Sequence, residues 1–330
     1  MGEDVKQFAS ERIVVPKPLS DEQVESYIGD GFLVVKNVLT RTEMDELFTD
    51  MVKLLRGGYE CPQLKPLPAT MSDEEVLRSF SGVIQAHFIS PVCLQYVKHP
   101  KVCGILSQII GAHVPYWDGS IKCMQSMYFV KPPGFPGQAW HQDELYIPTR
   151  DRSLIGAWIA LDDATIENGC LYVIPGSHQS GYLHPQEAHT KEDEWDFAPE
   201  SKGFDESKKV PVEVKAGTLV FFNGYLLHCS YKNRSNVYRR VLVNHYMNSW
   251  SHLPWHFPMK DGKPVPEAPS RLDIRNVIPV AGIDPYAWKG YENPPQNVWL
   301  RTCKANRPTT DPSADHLKKK EEPAAAAAKA

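Results

Sequence analysis

Apolar positions along the first third of the chain recur at helical spacing. Ser20-Asp21-Glu22-Gln23 forms a capping box, in which the Ser hydroxyl accepts from the third amide and the Gln side chain reaches back. A helix is predicted from there to Gly31, followed by a short apolar β-type run over Phe32 to Val35. Thr40-Arg41-Thr42-Glu43 opens a second helix with Met44, Leu47, Met51 and Leu54 along one face. Ser72-Asp73-Glu74-Glu75 starts a third, and Val92 to Ile110 continues the helical period until Pro100 breaks it. Helices are thus expected to dominate up to about residue 112. The period then changes. Cys123 to Val130, Ser153 to Leu161, Cys170 to Ile174, Thr218 to Phe222 and Val237 to Tyr246 are short β-rich runs separated by Gly, Pro and Asn clusters. That pattern predicts an antiparallel sandwich or barrel. Between His184 and Lys209 a charged stretch containing Trp195 and Phe197 is too long for a plain hairpin and reads as a lid, against the alternative of a solvated insertion.

Composition narrows the class. With 330 residues and 42% apolar content the chain can bury a large core. A single domain over about 1–305 is expected: a helical part at about 20–112, a β core at about 113–250 and a carboxyl-terminal wrap at about 251–305. Residues 306–330, with five consecutive alanines and a lysine cluster, read as a disordered tail. A formal charge of −4 gives no footprint for nucleic acid. No apolar run approaches the roughly 20 residues that cross a bilayer, and the first twenty residues carry charges, so no membrane partner and a cytoplasmic location are expected. The seven cysteines never form a C-x-x-C pair and read as reduced thiols.

Candidate chemistry begins at Trp140-His141-Gln142-Asp143. In an extended segment His141 and Asp143, two apart, face the same side and can supply two metal ligands. His228, just after the apolar run Thr218 to Phe222, is placed to supply a third. Two His and one carboxylate leave open positions on a metal, the arrangement of non-haem Fe(II) oxygenases. Eleven residues past His228 lies Arg239, whose guanidinium can hold a carboxylate of 2-oxoglutarate through two parallel hydrogen bonds. Adjacent strand residues face opposite sides, so Arg240 reads as a surface or structural residue.

Gln125-Ser-Met-Tyr128, His141-Gln-Asp143, Glu167-Asn-Gly-Cys-Leu-Tyr-Val-Ile-Pro-Gly-Ser-His178 and the run from His228 through Ser230, Asn233 and Ser235 to Arg239 together resemble the phytanoyl-CoA dioxygenase family. Within it, the look is of the phytanoyl-CoA dioxygenase domain-containing branch. The resemblance runs from about Ser20 to about Tyr246. It implies a mainly β protein with added helices, a double-stranded β-helix (jelly-roll, cupin-like) core with amino-terminal helices packed outside. It implies Fe(II) bound by His141, Asp143 and His228, with 2-oxoglutarate anchored by Arg239 and Ser230. Trp158 matches the position lining the cosubstrate pocket, and Gln125 that of a polar residue facing cosubstrate or substrate. Phe129 departs from relatives such as ectoine hydroxylases, which carry Asn there. The implied reaction joins O2 and 2-oxoglutarate to hydroxylation or desaturation of a small organic molecule, releasing succinate and CO2. Halogenating members lack the carboxylate, so Asp143 points away from halogenation. Tyr146, just after the metal segment, is a candidate substrate contact. Asn168-Gly169 is expected to supply the φ > 0 residues of a hairpin. His178 leaves its strand at a turn and reads as structural, and the remaining histidines, His245 on the Arg239 strand among them, read as packed or surface residues. The competing reading is a non-catalytic jelly-roll protein that keeps the metal, although such a protein usually loses a ligand or the anchoring Arg, and none is missing. No basic cluster is assignable to CoA phosphates, so a CoA substrate is not implied.

Overall fold

A computed structural model describes residues 17–61, 67–111, 119–191, 193–196, 198–251, 259–260, 263–264, 277–285 and 298–302. The segment read as a disordered tail lies outside them.

The amino-terminal helices start where side chains can satisfy their free amides. Capping boxes at Ser20, Thr40 and Ser72 open α1 (Asp21–Asp30), α2 (Arg41–Leu55) and α3 (Asp73–Ser79). Gly31, at φ 81°, ends α1 in a left-handed turn, and an added Cβ there would strike the His178 ring. The Val92–Ile110 pattern resolves into α4 (Pro91–Val97) and α5 (Pro100–Gly111), each with its proline at the first helical position, where the missing N–H costs nothing. Leu47, Met51 and Leu54 of α2 are fully buried, each contributing about 2 kcal/mol of apolar transfer.

Two antiparallel sheets form the core. The larger runs β1 (Phe32–Val35), β10 (Leu219–Asn223), β5 (Ile155–Ala160), β12 (Arg239–Asn248), β3 (Ile121–Lys131), β2 (Phe80–Ile84) and β16 (Trp299–Thr302), with β15 (Ile278–Ala281) also on β3. The smaller runs β4 (Gln138–His141), β11 (His228–Ser230), β6 (Leu171–Val173) and β9 (Val210–Val212). Short ribbons β7–β8 (Gln186–Glu187, Glu200–Ser201) and β13–β14 (Met259–Lys260, Lys263–Pro264) stand apart.

Strand alternation divides the large sheet between two cores. Ile155, Ala157, Ile159, Phe221, Leu242 and Tyr246 pack under the helices. Trp158, Ala160, Val220, Phe222, Val241 and Val243 pack instead against Leu171, Val173 and Val212 of the small sheet. This is the double-stranded β-helix with helices outside. Helices make up most of the part before residue 112, joined by β1 and by β2, a strand the sequence reading did not include, which enters the large sheet beside β3. At Gly82 of β2 an added Cβ would strike the Tyr128 carbonyl, 2.8 Å away, a close fit between strands that helical spacing could not reveal. In the carboxyl-terminal segment, β15 and β16 join the large sheet, whereas β13 and β14 pair only with each other. Asn168 does not take a positive φ; only Gly169 does, at 82°, while Asn168 Oδ1 accepts from Thr165 N and its amide donates to Asp163 O. Among the described residues no helix is long and apolar enough to cross a membrane.

Candidate active site

His141 ends β4 directly opposite His228 of β11. Gln142 is extended, at φ −129° and ψ 127°, so Asp143 returns to the side of His141 even though the strand has stopped and Asp143 opens a 3₁₀ turn. The three buried side chains bring one donor atom each within 4.8 Å of the others. Asp143 Oδ1 lies 3.6 Å from His141 Nε2 and 3.8 Å from His228 Nε2. The Nδ1 of each histidine donates to a main-chain carbonyl, Ala139 at 2.7 Å and Leu226 at 3.0 Å. Both Nε2 lone pairs therefore face inward, as metal-binding imidazoles require. Burial pushes the His228 imidazolium down to about 4, which keeps that ring neutral. Burial works against charge on Asp143 as well, but His245, His228 and His141 outweigh it and hold the carboxyl well below the usual range. Two imidazole nitrogens and a carboxylate oxygen converging in a buried place are the donor chemistry of a divalent transition-metal site.

A second feature sits on the inner face of the large sheet. Arg239 and Lys131 are cross-strand partners on β12 and β3, both buried. Arg239 stands 5.7 Å from the Trp158 ring, and its Nε is buried without a hydrogen-bond partner. Lys131 Nζ donates to neutral oxygens, Ser230 Oγ at 2.9 Å and the Tyr231 carbonyl at 2.7 Å. Burial lowers Arg239 to about 10, and burial together with Arg239 drives Lys131 well below its ordinary value. Two desolvated cations with an orphaned donor call for an anion, since such groups are retained when paired. Gly169 borders this place: an added Cβ would strike the Tyr231 carbonyl and come 2.9 Å from Lys131 Nζ.

Of the other residues singled out from the sequence, Ser230 and Trp158 lie beside the two cations and Tyr146 beside His141. Ser230 shares the inner face of β11 with His228, two residues apart, and Trp158 lies beneath Arg239. Gln125 is the cross-strand partner of His245 on β3. The Tyr146 ring meets His141 edge-on at 6.1 Å, and its hydroxyl accepts from Gln186. Arg240 turns away and pairs through two nitrogens with Asp162. His178 Nε2 donates to Ile28 O, the structural role expected of it. Sequence reasoning missed Lys131 because the predicted strand stopped at Val130; extending the alternation of Gln125, Met127 and Phe129 by one step would have found it. It also passed over His245, whose Nε2 lies 2.8 Å from Asp143 Oδ2. The 184–209 stretch departs from the lid reading. Trp195 is buried against Tyr231 and bridges Gly137, Glu194 pairs with Arg234 and Phe204 meets Trp140, so the loop covers the outer face of the small sheet. Gln142 fastens its start, donating to Tyr182 O and Tyr225 O and accepting from His184 N.

Known proteins carry the same arrangement of sequence and fold. The chain is 41% identical over 269 residues to phytanoyl-CoA dioxygenase 1 of Oryza sativa subsp. japonica, covering 72% of this chain and 93% of that protein. It is 28% identical over 284 residues to phytanoyl-CoA dioxygenase domain-containing protein 1 of Danio rerio, covering 72% and 94%. Among solved structures, the non-heme alpha ketoglutarate dependent carbocyclase SnoK from nogalamycin biosynthesis superposes with a TM-score of 0.52 at 25% identity, over 72% of this chain and 87% of that one. The family model for phytanoyl-CoA dioxygenase (PhyH) matches residues 27–241, a span that takes in the three clustered donors, the Lys131–Arg239 pair and the whole of the small sheet. The chain belongs to the phytanoyl-CoA dioxygenase family, an enzyme family of the non-haem dioxygenase kind.

Proposed function

We propose that this protein is an Fe(II)- and 2-oxoglutarate-dependent dioxygenase that hydroxylates or desaturates a C–H bond of a small organic molecule. One observation carries the reading: a buried His–Asp–His donor set and two buried cations without a carboxylate partner share the space between the sheets. His141 Nε2, Asp143 Oδ1 and His228 Nε2 would hold the iron, leaving positions for cosubstrate and O2. Arg239, Lys131 and Ser230 would hold the distal carboxylate of 2-oxoglutarate, supplying charge-assisted hydrogen bonds in a desolvated place where they are strong. When bound, iron and 2-oxoglutarate supply O2 activation with release of succinate and CO2.

The chain's own residues orient and enclose. Trp158 supports the guanidinium from below, Phe222 packs 4.7 Å from the His228 ring, and Tyr146 walls the His141 side. These apolar surfaces exclude water from the reacting centre. Gln125 offers a polar group on the same face as His245.

The test is succinate formation from 2-oxoglutarate by the iron-loaded protein. His141→Ala, Asp143→Ala and His228→Ala are each expected to abolish it, and Arg239→Met to leave it dependent on far higher 2-oxoglutarate. Substantial turnover in any of the three ligand variants would sink the assignment.

A further inference from the structure

His245 lies outside the donor set yet touches it. It sits on β12 six residues past Arg239, on the same inner face, 3% exposed. Its Nε2 is 2.8 Å from Asp143 Oδ2. A carboxylate oxygen can only accept, so Nε2 carries the proton and donates. Asp143 Oδ1, in contrast, points between the Nε2 atoms of His141 and His228. The two oxygens of one carboxylate are thus given different tasks.

We propose that His245 is a positioning residue that fixes Asp143 as a one-oxygen ligand, and that β12 thereby sets both ends of the site. The proposal rests on the metal-binding reading above. Asp143 needs such a partner because it does not belong to a strand: β4 ends at His141, and the 3₁₀ turn that follows leaves the carboxylate free to rotate about its side-chain torsions. A donor on Oδ2 removes that freedom and prevents both oxygens from taking metal positions, keeping places open for other ligands. β12 is held on both flanks, by β3 and β5, so the imidazole is delivered by an interior strand of the large sheet. Its Nδ1 is buried without a partner, so the Asp143 contact is what orients the ring.

The test uses the full-length chain stripped of metal and titrated with Co(II), whose visible bands report both affinity and coordination number. Three variants separate positioning from packing. His245→Leu keeps the bulk and loses the donor; His245→Gln restores an N–H at the distance of Nε2; His245→Asn places its amide where Nδ1 lies and misses Asp143. We expect His245→Leu and His245→Asn to bind Co(II) about 10- to 100-fold more weakly, with altered bands, and His245→Gln to return near the unaltered affinity and spectrum. Affinity and bands unchanged in His245→Leu would overturn the positioning role alone. Equal loss in all three, including Gln, would overturn it in favour of a packing role. If the unaltered protein takes up no Co(II), or Asp143→Ala binds it as well as the unaltered chain does, the metal reading itself falls.

Discussion

Lys131, Gly169 and Arg239 meet at one spot, and each is explained by the others. The ammonium of Lys131 reaches Ser230 through the space that Gly169 leaves open, and Arg239 stands across the strand pair with an unanswered Nε. Gly169→Ala forces a side chain into a left-handed conformation at a cost of about 1–2 kcal/mol and pushes against Lys131. A lowered unfolding midpoint together with weaker 2-oxoglutarate binding is expected; a change in midpoint alone would mean that Lys131 takes no part in the anion site. Lys131→Met removes one charge-assisted hydrogen bond and is expected to raise the 2-oxoglutarate requirement about 10- to 100-fold, read by calorimetric titration. At this scale the sequence was legible where spacing is rigid. His141 and Asp143 two apart, and His228 and Ser230 two apart, project together because an extended backbone alternates. His245 was not legible, because its partner lies 102 residues away on another element.

Local chemistry wrote the helix boundaries plainly: Ser20, Thr40 and Ser72 cap as their four-residue motifs predict. The box at the start of α2 also makes a pH-dependent contribution. Thr40 N–H and hydroxyl, with burial opposing and His99 adding, hold Glu43 down to about 2. Because the folded-state value is depressed, this stability is present above the ordinary value of 4.5 and is lost as pH falls from there through about 2. Thr40→Ala is expected to cost about 1 kcal/mol near neutral pH, by urea denaturation, and less at acid pH as the Glu43 charge disappears. A difference that stays constant down to pH 2 would contradict that cause. Strands were legible by composition but not by neighbour. β2 joined a region read as helical because its partner β3 begins about 40 residues later, and pairing at that distance leaves no local period. The 184–209 loop looked like a lid because length and charge say nothing about which face a buried Trp195 will cover.

For the molecule as a whole, two sheets bring donors from β4, the turn after it and β11 against cations from β3 and β12, so the site is assembled only when the sandwich closes. Ligands that bind the folded state alone must then stabilise it. At a hundredfold excess over the dissociation constant the gain is about 2.7 kcal/mol. Mn(II), which occupies such sites without turnover, is expected to raise the thermal midpoint of the unaltered protein by several degrees and leave Asp143→Ala unmoved; equal shifts in both would indicate binding elsewhere. The central claim, that the His–Asp–His set and the two cations form one cosubstrate site, is tested most directly by an anaerobic titration. Metal-free protein receives Fe(II) and then 2-oxoglutarate while the visible spectrum is followed, with Arg239→Met in parallel. The predicted result is a weak charge-transfer band from 2-oxoglutarate chelated to iron, saturating in the unaltered protein and needing far more 2-oxoglutarate in the variant. Iron bound without that band, or a band indifferent to Arg239, would contradict the account.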